Sequence, residues 1–364
     1  SDLFLPTFGS YLPNTDKKDR QKRFSVKLAQ PPIVLLHVLS AQGINFANVQ
    51  GSRRSPFRPG GNTPGGHKPR NGRDGQETNN TKNFQNMETN LSYDMYVPTR
   101  VMFGAGMLNK LSEQPMPGKR AMIVISNGKS TRANGYLART EEQLHKAGVE
   151  TSVFDGVMPN PTVDNVNAGA AMARESGCDF LVALGGGSVM DCTKGIALMA
   201  TNEGELWDYV PVGSGKGKPI TVKPLPIIAI TTTAGTGSET DNSGVITKEN
   251  TFEKAFIGDA LLFPALSIVD PELMATVPPA FTAYQGFDAL FHSSEGYIAR
   301  GANLMSDMYA LTAIENIAKY LPRAVKDGND MEARTHVAWG NTLSGVVMCL
   351  TLITSEHALE HALS

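Results

Sequence analysis

Leu181-Val182-Ala183-Leu184-Gly185-Gly186-Gly187-Ser188-Val189-Met190-Asp191 is the stretch on which the fold turns. A wholly apolar run enters three glycines and a serine and then opens a helical pattern. Four apolar residues in a row mark a strand buried on both faces, as in a parallel sheet covered by helices. Three consecutive glycines remove every Cβ at the turn, so a charged group can approach bare backbone N–H groups. The helix that follows, residues 188–200, aims its unsatisfied N–H groups and the positive end of its dipole at the same point. Strand, glycine turn and helix N-terminus together make an anion site suited to a nucleotide diphosphate. A turn packed for geometry alone has the same glycines, and a second element is needed to separate the two readings.

Pro226-Ile227-Ile228-Ala229-Ile230 supplies it. This second buried strand leads into Thr231-Thr232-Thr233-Ala234-Gly235-Thr236-Gly237-Ser238-Glu239, another glycine loop, dense in hydroxyls. In open parallel sheets, ligands bind outside the carboxyl ends of the strands, where two such loops at neighbouring strands would meet. Working outward, residues 120–126 read as a buried strand and 131–147 as an amphipathic helix stopped at Gly148. Residues 150–154 read as a short strand, and 163–177 as a helix ending at Gly177. Alternating strands and helices with short connections predict a doubly wound parallel sheet. Past Pro264 strand signals vanish, and 281–299, 303–320, 331–350 and 354–364 carry helical apolar spacing. The predicted architecture is an α/β Rossmann-like nucleotide-binding domain at 87–264, then an all-helical metal-binding domain at 265–364.

The chain has 364 residues, 41% hydrophobic and 19% charged, enough for two domains with sizeable cores. Three cysteines without paired spacing imply neither a disulfide framework nor a cysteine-rich zinc site, which favours a reducing, cytoplasmic setting. No run approaches eighteen apolar residues, so no membrane helix is expected. The net charge of −2 hides an asymmetry: residues 1–86 carry thirteen Lys/Arg against five Asp/Glu. Residues 51–75 hold seven glycines and four prolines with almost nothing apolar, a composition that cannot build a core. All fifteen methionines lie at Met87 or later. Residues 1–86 are therefore expected to be a disordered basic extension outside the fold, with nucleic-acid binding the minor reading.

In the helical half, Asp288 and His292 are four residues apart, as are His357 and His361. That spacing sets two side chains side by side on one helix face, able to hold one cation. Imidazole with carboxylate suits Fe2+ or Zn2+ rather than Mg2+ or Ca2+. Any single such pair is more often an ordinary surface or core histidine.

Gly185-Gly186-Gly187-Ser188 with Asp191 and Lys194, the Thr232–Glu239 loop, Asp288/His292 and His357/His361, in this order, resemble the group III, iron-dependent alcohol dehydrogenases over roughly residues 93–364. The resemblance implies a dinucleotide and a divalent metal held between two domains, with alcohols interconverted with aldehydes or ketones. It implies that Asp288, His292 and His357 are metal ligands and that Gly186, Gly187 and Ser188 form the diphosphate loop. Thr232, Thr233, Lys194, Lys254 and Asn160 are candidate cofactor contacts. His361, beside the nicotinamide, and Asp191 are the catalytic candidates, His361 as a proton relay. The family's fourth ligand is a histidine about fourteen residues after the third, past Ser364, so a C-terminally truncated member is expected. Members that form dimers or larger assemblies imply a homo-oligomer. The nearest alternatives are the related glycerol dehydrogenases and dehydroquinate synthases, or a fragment that binds nucleotide without turnover.

Cofactor choice has its own signal. NAD-preferring sites commonly place a carboxylate at an early strand end to accept the ribose 2′-OH. Here Ser126-Asn127-Gly128-Lys129-Ser130, with Arg132 close by, has two cations and no carboxylate, so NADP(H) is expected over NAD(H).

Overall fold

The structure, a computed structural model, describes residues 91–363. The expected basic extension, 1–86, lies outside the described residues. Six strands form one parallel sheet: β1 (Arg100–Phe103), β2 (Arg120–Ser126), β3 (Glu150–Val157), β4 (Phe180–Gly185), β5 (Ile227–Thr231) and β8 (Leu266–Val269), ordered β1-β8-β5-β4-β2-β3. An antiparallel hairpin, β6 (Ser243–Lys248) and β7 (Glu253–Gly258), stands apart. The apolar runs are buried on both faces because helices cover both sides. In β2, Ala121, Ile123 and Ile125 join a core with Leu137 and Leu144. Met122 and Val124, pointing the other way, pack with Val166, Ala170 and Ile196.

Helices α1 (Ser130–Ala133), α2 (Tyr136–Lys146), α3 (Val163–Ser176) and α4 (Gly187–Thr201) flank the sheet. The single helix expected over 131–147 is two, broken at Gly135, whose φ of 73° no helix interior tolerates. Helix α3 has a reciprocal cap: Asn165 N–H donates to Thr162 Oγ1 and Thr162 N–H to Asn165 Oδ1, both at 3.3 Å.

From β2 the chain runs outward to β3 and then returns to lay β4 against the other side of β2. The strand order therefore reverses between β2 and β4, and the loops leaving their carboxyl ends flank a crevice. Strands β1, β6 and β7 escaped the sequence reading, and so did β8. It lies beyond Pro264, yet all four of its residues are buried between β1 and β5. The sheet thus extends past the expected boundary at 264.

The remaining residues are helical: α5 (Pro279–Ile298), α6 (Leu304–Lys326), α7 (Met331–Thr351) and α8 (Ser355–Leu363). Ala289, Leu290, Ala313, Ile317, Ala338 and Leu343 form the core shared by the first three of these. Helix α7 stops at Leu352, whose φ of 63° breaks the ladder, and α8 leaves at 99° to it. Among the described residues no single helix is long and apolar enough to cross a membrane.

Candidate metal centre and its flanking glycine loops

At the end of β4, Gly186 is extended (φ −92°, ψ −167°) and starts α4 with no side chain capping the helix. A Cβ on Gly186 would lie 2.9 Å from Thr233 Cγ2, and one on Gly187 2.4 Å from Thr236 Cγ2. The glycines therefore let the loop after β5 lie directly on the turn. Thr232 N–H donates to Gly185 O at 2.9 Å, closing the contact. Gly186, Gly187, Ser188, Thr232 and Thr233 are brought together around an uncapped helix N-terminus, the arrangement that binds phosphate.

The loop after β5 is pinned on its far side too. Gly237 (φ 64°) lies so close to α7 that a Cβ there would be 2.6 Å from Gly345 N. Its N–H donates to Asn341 Oδ1 at 2.9 Å. Glu239, 1% exposed, accepts from Asn341 Nδ2 (2.8 Å) and Thr342 Oγ1 (3.1 Å), and burial pushes its carboxyl up to about 7.

Two candidate residues turn out to serve this loop. Lys194 was expected to touch the cofactor, but it is 1% exposed and its ammonium donates to Ser238 O, Ser238 Oγ, Asp241 Oδ1 and Ser243 O. With three N–H bonds already shared among four protein acceptors, it has none for a dinucleotide. Asp191, expected as catalytic, accepts from Ser238 Oγ (2.8 Å) and Val245 N–H (3.0 Å), which ties α4 to the same segment. Burial pushes its carboxyl up to about 6, against the pull of Lys194. Both side chains hold the loop in place.

Asp288, His292 and His357 do converge: one ligand atom from each lies within 4.8 Å of the others. Asp288 Oδ1 is 3.7 Å from His292 Nε2 and 3.3 Å from His357 Nε2. Donors on a tetrahedral metal with bonds of 2.0–2.2 Å stand about 3.4 Å apart, so the set fits such an ion. The imidazoles stack, with centroids 4.3 Å apart. His292 Nδ1 is 3.3 Å from Gly235 O, an acceptor only, so Nδ1 carries the proton and Nε2 keeps its lone pair toward Asp288. That bond also joins the metal cluster to the glycine turn, since Gly235 adjoins Thr236, which packs on Gly187.

The cluster's charges are coupled. Burial alone would raise the Asp288 carboxyl, but the surrounding imidazoles of His292, His357 and His361 bring it below its ordinary value. Burial holds His292 low. His357 is raised: burial opposes protonation, but hydrogen bonds to Asp288 and Glu295 prevail. His361, with its ring centroid 6.4 Å from that of His357, is half-buried and lowered by burial and by the Lys254 charge. Lys254 Nζ lies 3.5 Å from Glu360 Oε1, so it faces the helix that carries both histidines. Asn160, exposed at φ 52°, follows β3 on the same edge of the sheet as the glycine turn.

Two site residues escaped the sequence reading. Glu295, 1% exposed, lies beyond His292 on α5 and meets His357 Nδ1 at 2.5 Å. Its place three residues past His292 on one helix face was the available signal. Asp155 is the second. It lines a cavity of about 470 Å³ with Ser126, Asn127, Gly128, Lys129 and Arg132, and pairs with Arg132 at 2.8 Å. The expected absence of a carboxylate beside the β2 end does not hold, because β3 brings one from the neighbouring strand. A larger cavity, about 660 Å³, is lined by Val163, Trp207 and Lys248 and contains none of the metal-cluster residues.

Family sequence models match most of the described chain: "Iron-containing alcohol dehydrogenase" over residues 98–271 and "Fe-containing alcohol dehydrogenase family, C-terminal" over 282–364. Alcohol dehydrogenase 4 of Schizosaccharomyces pombe is 39% identical over 270 residues, 74% of this chain and 62% of that protein. The NAD-dependent methanol dehydrogenase of Bacillus methanolicus is 34% identical over 270 residues, 74% of this chain and 69% of that one. Among solved structures, an archaeal halo-thermophilic alcohol dehydrogenase from a Red Sea brine pool superposes with a TM-score of 0.72 at 38% identity, covering 76% of this chain and 70% of its own. The chain thus spans from just under two thirds to about 70% of the length of these proteins.

Proposed function

Because this chain belongs to the iron-containing alcohol dehydrogenase family, we propose that it interconverts a small alcohol with its aldehyde or ketone by hydride transfer, using a nicotinamide dinucleotide and Fe2+. The observation that carries this reading is one continuous path: glycine turn, Thr236, Gly235, His292, Asp288. It sets an uncapped helix N-terminus and a cation-binding donor set against adjacent residues of a single loop.

In this reading Asp288, His292 and His357 hold the metal, whose donors accept Zn2+ as well. When bound, the metal supplies Lewis acidity at the substrate oxygen. Gly186, Gly187 and Ser188 take the pyrophosphate on backbone N–H groups, helped by the helix dipole. Thr232, Thr233, Asn160 and Lys254 border the dinucleotide. His361, held neutral by burial and by Lys254, takes up the hydroxyl proton during alcohol oxidation and returns it during reduction. The chain is read as a homo-oligomer, which light scattering on the eluted protein decides.

The cofactor is NAD(H) rather than the NADP(H) expected from sequence. Asp155 puts a carboxylate beside the β2 end and neutralises Arg132, so a 2′-phosphate there meets repulsion without a free guanidinium. The related NAD-dependent methanol dehydrogenase supports the same choice.

The test is anaerobic loading with Fe2+, followed by initial rates of short aliphatic aldehyde reduction with NADH and NADPH. Turnover with a higher kcat/KM for NADH is expected. No turnover and no dinucleotide binding in the loaded chain overturns the reading; a preference for NADPH overturns only the cofactor choice.

A further inference from the structure

We infer that Glu295 is the positioning residue of the metal centre, fixing the tautomer of His357 and docking the helix that presents it. This rests on the metal-binding reading proposed above. Glu295 lies seven residues after Asp288 and three after His292, so all three project from one face of α5. It is 1% exposed, and a carboxylate that deep is costly unless both oxygens find donors. They do, and the two oxygens serve different purposes. Oε1 is 2.5 Å from His357 Nδ1. Oε2 accepts from Thr354 N–H at 2.6 Å and Thr354 Oγ1 at 3.0 Å.

Each bond has a consequence. Carboxylates face both ring nitrogens, Glu295 Oε1 at 2.5 Å from Nδ1 and Asp288 Oδ1 at 3.3 Å from Nε2, and the shorter contact keeps the proton of the neutral His357 ring on Nδ1, leaving the Nε2 lone pair for a metal. That is the form a metal requires of a histidine, and the buried acceptor selects it. Thr354 immediately precedes α8, just after the backbone reverses at Leu352 (φ 63°). Holding its N–H sets where α8 begins, and therefore where His357 lies. One side chain of α5 thus places the third ligand in both position and proton state, while two other residues of the same helix supply ligands directly.

Glutamine in place of Glu295 separates orientation from bulk. It has nearly the same shape but one acceptor oxygen and one NH2 donor. If its oxygen stays on Thr354, the NH2 faces Nδ1 and drives the ring proton to Nε2, where a metal binds. If it flips, Thr354 loses its acceptor. Neither arrangement reproduces both bonds.

The experiment uses the 364-residue chain, unaltered and as Glu295→Gln. The His357 tautomer is read in the metal-free protein by long-range 1H–15N correlation at a pH where the ring is neutral. Zn2+ and Fe2+ affinities are measured by chelator competition, and metal-free melting serves as the control. We expect the Nδ1–H form in the unaltered chain, the Nε2–H form in E295Q, and about a ten- to hundredfold loss of metal affinity with metal-free melting little changed. Glu295→Asp, which keeps two acceptors, is expected to restore the Nδ1–H form. An Nε2–H ring in the unaltered chain overturns the inference without recourse to any variant, as does E295Q affinity within twofold of the parent. If the unaltered chain binds neither metal, the proposed function falls, while the tautomer still decides what Glu295 does to His357.

Discussion

Replacing Glu239 with glutamine makes the fold less sensitive to rising pH, and the structure sets the size of the effect. Glu239 is buried to 1% exposure beneath α7, and its Oε1 accepts from Asn341 and Thr342. Burial lifts its carboxyl from 4.5 to about 7. Between those values the folded chain keeps a proton that the unfolded chain has released. Stability from this group is therefore complete below about 4.5 and lost as pH rises through about 7. At about 1.4 kcal/mol per pH unit of separation, the loss is about 3 kcal/mol. Glutamine keeps the Oε1 acceptor and never ionises, so the variant does not incur it. With a urea slope of about 3 kcal/mol/M, the difference is about 1 M in midpoint. Urea melts of both proteins at pH 5 and pH 8, followed by circular dichroism, supply the assay. Asp191, pushed to about 6, titrates in the same window in both, so only the difference between the proteins reports Glu239. Equal midpoint changes in the two proteins would refute the reasoning.

Lys194→Met leaves the buried Asp241 carboxylate unpaired and is expected to cost about 3–5 kcal/mol, measured by calorimetry; a loss below about 1 kcal/mol contradicts the described network. Gly187→Ala puts a methyl 2.4 Å from Thr236 Cγ2 and is expected to destabilise by about 1–3 kcal/mol, with Thr236→Ala recovering most of it in the double variant. If the double variant is no better than the single, the loops do not pack as described. Asp288→Asn retains shape but loses the anionic donor, so bound metal after desalting, measured by elemental analysis, drops to a small fraction of the parent's. Full retention removes Asp288 from the ligand set.

The parts of the site that a short window of sequence can specify were legible. Apolar strands running into Gly185–Ser188 and Thr231–Glu239, and ligand pairs four apart on helices, each depend on local geometry alone. Their meeting was inferred, and the contact between Gly187 and Thr236 supplies the physical link. What escaped depends on register and burial. Asp155 reaches the β2 end only because β3 pairs alongside β2. Nothing around Lys194 announces that it will be sealed from solvent and consumed by Ser238, Asp241 and Ser243. Glu295 was passed over because a carboxylate without a histidine four residues away reads as a solvated charge. Strand β8 has only four residues between Pro264 and Asp270-Pro271, too few to display a period.

That short strand bears on how the molecule acquires its shape. Among the described residues β1 pairs only with β8, and Arg100 lies opposite Leu266, so the first strand waits for one made 166 residues later. Closing so long a span must precede any return from pairing, which makes completion of the sheet a late and slow event during synthesis. Until then β5 presents a bare edge to the surroundings, the condition under which nascent chains join one another instead of themselves.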